Sequence, residues 1–243
     1  MNIENYFKQR KILQSEMKQY RVQCSGCLQP EFGCYCSAIQ KFDPKIKFVI
    51  LIHPIETKRR IATGRMSHLC LAVSELIVGQ NYSTNPRVNQ LLQEPGYQPM
   101  VLYPGAKSMN LTEATSEKKS AFFDAAKTPL VFVIDGTWAT ARKMMRQSEN
   151  VNQLPRFCFT PPGPSQFRVR KQPNVECYST IEAIHHSIEL LGTNVNFVFS
   201  NRPHDNLLHV FNKMVERQLI FIQDAFDNPK STSYRRVKHR IAG

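Results

Sequence analysis

The hydrophobic pattern alternates short apolar runs with longer amphipathic stretches. Ile46–Ile52 (Ile-Lys-Phe-Val-Ile-Leu-Ile) and Leu130–Ile134 (Leu-Val-Phe-Val-Ile) have the length and β-branched content of buried strands, and His53-Pro54 ends the first. Residues 64–78, with Met66, Leu69, Leu71, Val73, Leu76 and Ile77, read as one helix packed on a sheet, followed by a turn near 79–81. A short strand at 101–103 closes at Pro104-Gly105, and 116–126 is expected to be helical. The 130–134 strand runs through Asp135-Gly136-Thr137-Trp138 into a helix over 138–148, which turns Met144 and Met145 to the core and sets Arg142 and Arg146 four apart on one face. Residues 150–175 are rich in Pro and Gly and read as loop, with a short strand at 156–159. Ser179-Thr180-Ile181-Glu182 forms a capping box that opens a helix closed by Gly192. Leu207, Phe211, Met214 and Phe221 mark a long amphipathic C-terminal helix. Residues 1–20 read as an exposed basic helix. Alternating strands and helices imply an α/β fold.

Length adds a limit: 243 residues hold one large domain with a small appendage. The expected division is 1–42 (helix and cysteine segment), 43–227 (main domain) and 228–243 (tail with Lys230, Arg235, Arg236, Lys238 and Arg240). Thirty-two Lys and Arg against nineteen Asp and Glu give +13, which points to a polyanionic partner, nucleic acid before anionic membrane. No apolar run reaches the roughly 18 residues of a membrane span, and the N-terminus lacks the apolar core of a signal peptide, so the expected location is cytoplasmic, without a membrane partner.

In such a compartment the clustered thiols suggest a metal, and Cys70, Cys158 and Cys177 suggest packing. Cys24-x-x-Cys27 and Cys34-x-Cys36, with Gly26 and Gly33 to allow tight turns, suit tetrahedral structural zinc. Redox-active pairs and an iron–sulfur cluster are the alternatives. The strand-to-helix turn at Asp135–Trp138 lies where open α/β sheets bind ligands, and the helix N-terminus there favours an anion. Two readings stand for Asp135, helix N-cap or catalytic group, and two for Trp138, helix packing or ligand stacking. His53-Pro54-x-Glu56, with Arg59, Arg60 and Thr63-Gly64-Arg65, makes a polar loop at another strand end, in which His53 is read as architecture; His185 and His186 are also read as structural. Arg156, Arg168, Arg170 and Lys171 alternate with Phe157, Phe159 and Phe167 in a stretch without acids: a grip on RNA, or a solvated basic loop with buried rings.

Taken together, these motifs resemble the DTW-domain proteins, the tRNA-uridine aminocarboxypropyltransferases. The resemblance covers about residues 20–225. It rests on the four cysteines, His53-Pro54-x-Glu56, Thr63-Gly64-Arg65, Leu102-Tyr103-Pro104-Gly105, Asp135-Gly136-Thr137-Trp138-x-x-Ala141-x-Lys143-Met144 and Tyr178-Ser179-Thr180-Ile181-Glu182-Ala183. The family's Asp-x-Thr-Trp signature is intact, whereas its Thr-Asn-Thr-Gly stands here as Ile61-Ala62-Thr63-Gly64.

The resemblance implies a SPOUT-like knotted sheet with helices on both faces, which periodicity does not reveal. It also implies transfer of the 3-amino-3-carboxypropyl group of S-adenosylmethionine to N3 of a tRNA uridine, releasing methylthioadenosine. Leu102, Tyr103, Pro104, Gly105, Asp135, Gly136, Thr137, Trp138, Ser179, Thr180 and Glu182 are then expected to enclose the cofactor, with the Gly136 and Thr137 N–H groups on its carboxylate. Asp135 is the expected base or orienting acceptor, and Arg142, Lys143, Arg146, Arg156, Arg168, Arg170 and Lys171 the grip on RNA. Transfer to ribosomal RNA, SPOUT-type methyl transfer, and a zinc-bearing RNA-binding protein without catalysis are the competing expectations. A dimer is common in SPOUT-like folds, but no feature of the sequence decides the oligomeric state.

Overall fold

The computed structural model describes residues 22–59, 61–169 and 177–227. The expected helix at 1–20, Arg170, Lys171 and the basic tail lie outside them.

Among the described residues six strands form one sheet in the order β2-β1-β5-β3-β6-β4, and every neighbouring pair is parallel. They are β1 (Lys47–Ile52), β2 (Ser74–Val78), β3 (Tyr97–Leu102), β4 (Ser108–Asn110), β5 (Thr128–Asp135) and β6 (Arg156–Cys158). The helices are α1 (Pro54–Thr57), α2 (Thr63–Cys70), α3 (Pro86–Gln93), α4 (Ser116–Phe122), α5 (Trp138–Gln147), α6 (Glu149–Asn152), α7 (Thr180–Leu191) and α8 (Asp205–Asp227). The β1–β5 register pairs Ile52 with Asp135, and Leu102 of β3 pairs with Val133, so these strands end at one rim of the sheet.

Side chains alternate across the sheet as strand geometry requires. Phe48, Ile50, Val131 and Val133 pack on one face with Met66 of α2, Ile181, Ile184 and Ile188 of α7, and Phe211 of α8. Val49, Leu51, Leu130 and Phe132 pack on the other with Val88 and Leu91 of α3 and Met144 and Met145 of α5. Helices therefore cover both faces, which explains why β1 and β5 are apolar throughout rather than alternating. Tyr35 and Ala38 of the cysteine segment join the first cluster, and Asn206 of α8 ties the segment down by donating to Ala38 O at 2.9 Å and accepting from Gln40 N at 2.9 Å.

One expected element divides in two. The helix read over 64–78 stops at Cys70, and Ser74–Val78 is the edge strand β2. Leu71 is extended, and Phe42 takes hold of the chain there: Phe42 N donates to Cys70 O and Ala72 N to Phe42 O. Pairing with β1 then outweighs the helical spacing of Leu76 and Ile77, as tertiary context commonly does. The elements absent from the sequence reading, α1, α3, α6 and β4, are short; α3 is set by Pro86 at its first turn and by Asn85 Oδ1, which accepts from Val88 N at 3.0 Å.

The edge strand is held by charge as well as by pairing. Glu75 accepts from Arg87 Nη2 at 2.6 Å and Nε at 2.8 Å, and pairs with Lys47 Nζ at 3.0 Å. The Arg87 hydrogen bonds, assisted by Lys47, hold its carboxyl at about 2 instead of 4.5. A depressed native pKa adds stability above the unfolded pKa and loses it as pH falls. Stability measured by urea unfolding should therefore drop between about pH 4.5 and pH 2 in the natural protein. That drop should be shallower in Glu75→Gln; an identical acid limb in the variant would show that the pair adds nothing.

Candidate functional site

The strand ends converge on Asp135. It is 4% exposed, its backbone O accepts from His53 N at 3.0 Å, and its Oδ1 accepts from Thr180 Oγ1 at 2.6 Å. A Cβ on Gly64 would lie 2.5 Å from Asp135 Oδ2, so only glycine lets α2 approach this carboxylate so closely. Three motifs far apart in the chain, at His53, Gly64 and Thr180, thus meet at one side chain.

Of the two readings for Asp135, the capping one goes to a neighbour. The N-cap of α5 is Thr137, whose Oγ1 accepts from Thr140 N at 3.2 Å, while Asp135 is the last residue of β5. Gly136 between them has no room for a side chain, since a Cβ would fall 2.6 Å from Thr140 Oγ1.

Above this junction opens a cavity of about 520 Å³, within the range of small-molecule sites. Leu102, Tyr103 and Pro104 line it from the end of β3, Gly136, Thr137 and Trp138 from the β5–α5 turn, and Ser179, Thr180 and Ala183 from the start of α7. Trp138 is 39% exposed, on the cavity wall rather than in the core. Gly105, Asp135 and Glu182 are not among the lining residues. Asp135 lies beneath the wall, and Glu182 is a clamp: its carboxylate accepts from Ser179 N at 2.8 Å, Ser165 Oγ at 2.8 Å and Gln166 N at 2.7 Å. It thereby ties the loop carrying Phe167 to the head of α7. Phe159, Pro161, Phe167 and Tyr178 complete an apolar wall; the sequence reading had set Phe159 and Phe167 either against RNA or in the core, and not against the cofactor. Their only signal was the Pro-rich, aromatic character of the loop. Arg59, read as part of a polar loop, also lines the cavity.

Arg142, Lys143 and Arg146 are exposed on α5, and Arg168 is exposed on the loop. Arg156 is half-buried, with its guanidinium 5.9 Å from the centre of the Tyr103 ring and bonded to Asn152 O and Oδ1 at the surface. It steadies a cavity residue from behind. His53 caps α1, accepting from Ile55 N through Nδ1 at 3.2 Å. His185 bonds Asp205 and His204 bonds Glu189, each at 2.8 Å, and Arg202 bridges both carboxylates. Both carboxylates of this group are thus already engaged by Arg202, and the network joins α7 to α8. His186 packs edge-on against Phe159, with centroids 4.6 Å apart.

Away from the cavity, the four cysteines gather. Cys24 Sγ is 3.6 Å from Cys36 Sγ, Cys27 Sγ is 3.6 Å from Cys34 Sγ, and all four sulfurs lie within 4.8 Å of one another. Sulfurs about 2.3 Å from a tetrahedral zinc stand roughly 3.8 Å apart, so the cluster has the right size for that ion. Backbone N–H groups of Cys27 and Gly26 lower the Cys24 thiol to about 6, whereas burial raises those of Cys27 and Cys36, so it is the sulfur spacing that speaks for a metal. Leu28, at φ 58°, makes the left-handed turn that closes the first pair.

The chain is 29% identical over 170 residues to tRNA-uridine aminocarboxypropyltransferase 2 of Drosophila melanogaster, covering 67% of this chain and 63% of that protein. The proteins of the same name from Macaca fascicularis and Mus musculus are 25% and 26% identical over 186 and 190 residues, covering 74% of this chain and 59% of each relative. The chain thus aligns with less than two thirds of the length of these relatives. No solved structure gives a significant match. The DTW domain model matches residues 21–219, a span that includes the cysteine cluster, the Asp135 junction and the whole described cavity wall, and the chain belongs to the DTW domain family.

Proposed function

We propose that this protein transfers the 3-amino-3-carboxypropyl group of S-adenosylmethionine to N3 of a tRNA uridine. The observation that carries the reading is the cavity: a largely apolar chamber at the strand ends, bounded by the N-terminus of α5 and flanked by exposed cations. Its walls fit the cofactor. Apolar and aromatic side chains suit the adenosine, and the start of α5 bounds the chamber beside them. The names of the relatives supply the reaction class. A SPOUT-like knot belongs to the same proposal, as does a cytoplasmic setting; no described helix is long and apolar enough to cross a membrane.

In the reaction, uridine N3 loses its proton to solvent water and forms a bond to the γ-carbon of the transferred group. The bond from that carbon to sulfur breaks, and its electron pair returns to the sulfonium, giving neutral methylthioadenosine. What the protein supplies is position: the γ-carbon, not the methyl, must face N3 in line with the departing sulfur. Tyr103 and Trp138 bound the space from two sides, and the Glu182 clamp fixes the loop that closes a third. Asp135, buried under the wall and bonded to Thr180, acts in this account as the residue that positions these turns. Arg142, Lys143, Arg146 and Arg168 are placed to neutralise phosphates outside the cavity.

Purified protein with S-adenosylmethionine and tRNA should release methylthioadenosine; release of S-adenosylhomocysteine would make the protein a methyltransferase, and RNA binding without either product would make it a binding protein. Asp135→Asn should lower kcat at least about tenfold, near 1.4 kcal/mol of barrier, and leave the limbs of the pH profile unmoved. Loss of the acidic limb would instead make Asp135 the proton acceptor. Replacing Arg142 and Arg146 with Ala should reduce the slope of log affinity for tRNA against log salt by about 0.7 to 0.9 per lost phosphate contact. An unchanged slope would remove α5 from the interface.

The cysteine cluster is proposed to hold structural zinc. Zinc should co-purify with the protein, and its removal by a chelator under reducing conditions should lower the unfolding midpoint, because the cluster is tied to α8. A metal-free preparation of equal stability would contradict this.

A further inference from the structure

We infer that Arg59 is the carboxylate receptor of the cavity, selecting a ligand arm that carries an α-carboxylate. Among the described residues that line the cavity, Arg59 is the sole charged side chain. Its placement is built in from the sheet outward. His53, joined through its N–H to the backbone O of Asp135, caps α1, and Thr57 Oγ1 closes that turn by donating to Pro54 O at 2.7 Å. Glu56, on this turn, has a side chain only 5% exposed and pairs with Arg59 Nη1 at 3.2 Å, while the Arg59 side chain is 40% exposed. Arg59 N also donates to Glu56 O at 3.0 Å. The buried carboxylate thus holds one corner of the guanidinium against the fold.

A guanidinium has five N–H donors in one plane, so the contact with Glu56 leaves a fork that fits a second carboxylate with two parallel hydrogen bonds. A nucleic-acid phosphate is the poorer match here. The exposed cations of α5 face the outside, where a backbone can run, whereas Arg59 borders a chamber walled by Leu102, Phe159 and Phe167.

This inference rests on the proposed transfer and adds to it what chooses the carbon. Methyl transfer leaves the amino-acid arm on the departing molecule, whereas aminocarboxypropyl transfer must deliver that arm to the acceptor. Its carboxylate is untouched by the reaction, so Arg59 can hold it from binding to product. Glu56 is then a positioning residue, acting through Arg59.

The test compares two ligands by calorimetry: S-adenosylmethionine and its decarboxylated analogue, which keeps the sulfonium and the amine and lacks only the carboxylate. The natural protein should prefer S-adenosylmethionine by about 10- to 100-fold. Arg59→Ala should erase that preference while leaving the affinity for the analogue unchanged, and Arg59→Lys should restore part of it. Glu56→Gln should reduce the preference without abolishing it. A preference that survives in Arg59→Ala, or an equal loss for both ligands, would overturn the inference. So would a natural protein that binds both ligands equally, with the proposed function still standing. A natural protein that binds neither ligand would overturn the proposed function too.

Discussion

A buried carboxylate at the end of β5 is the constraint around which the rim of this sheet is arranged. Asp135 is packed so closely against α2 that residue 64 can carry no side chain, it accepts a hydrogen bond from the first residue of α7, and its backbone receives the N–H of His53. Burying a carboxylate costs free energy unless hydrogen bonds compensate, so the three segments that meet here are bound to one geometry. The β5–α5 turn and the head of α7, two of the segments that wall the cavity, adjoin those contacts directly, while Leu102–Pro104 and the Cys158–Phe167 loop leave the sheet from β3 and β6. Position at the site therefore comes from the sheet rather than from the loops, the arrangement that precise group transfer requires.

A second buried carboxylate, Glu182, extends the same logic outward. It serves the capping box of α7 and at once receives Ser165 and Gln166 from the preceding loop, which carries Phe167 into the cavity wall. A third, Glu56, anchors Arg59. Each acts by fixing a neighbour, and none of the three belongs to the surface that a ligand would touch. Cations are distributed in the opposite way, with Arg142, Lys143, Arg146 and Arg168 left exposed. Around the cavity, then, three carboxylates serve as buried scaffold while the cations of α5 and the loop are left outside for a polyanion, as the +13 of the chain leads one to expect.

Much of this was legible in the sequence where a local rule governs. The strands β1 and β5 could be read because both of their faces are covered, which writes a continuous apolar run. The head of α7 was legible from Ser179 and Glu182, and the cysteine cluster from its spacing and glycines. The strand β2 was not, because Leu76 and Ile77 continue a helical spacing from α2, and only the contact between Phe42 and the 70–72 backbone breaks the helix. Asp135 and Thr137 are both good capping residues two positions apart, and the choice between them depends on how far β5 pairs with β1. The roles of Gly64 and Phe167 arise from contacts across tens of residues, and although Arg59 pairs with Glu56 only three positions away, nothing local shows that it borders the cavity.

The central claim is that this scaffold aims the amino-acid arm of S-adenosylmethionine, and not its methyl group, at a uridine. It is tested most directly by incubating the purified protein with tRNA and S-adenosylmethionine labelled separately in the methyl group and in the aminocarboxypropyl carbons, then digesting the RNA and analysing its nucleosides by mass spectrometry. The account predicts a uridine derivative that carries the aminocarboxypropyl label and none of the methyl label. Methyl label in the RNA, or no label from either preparation, would contradict it.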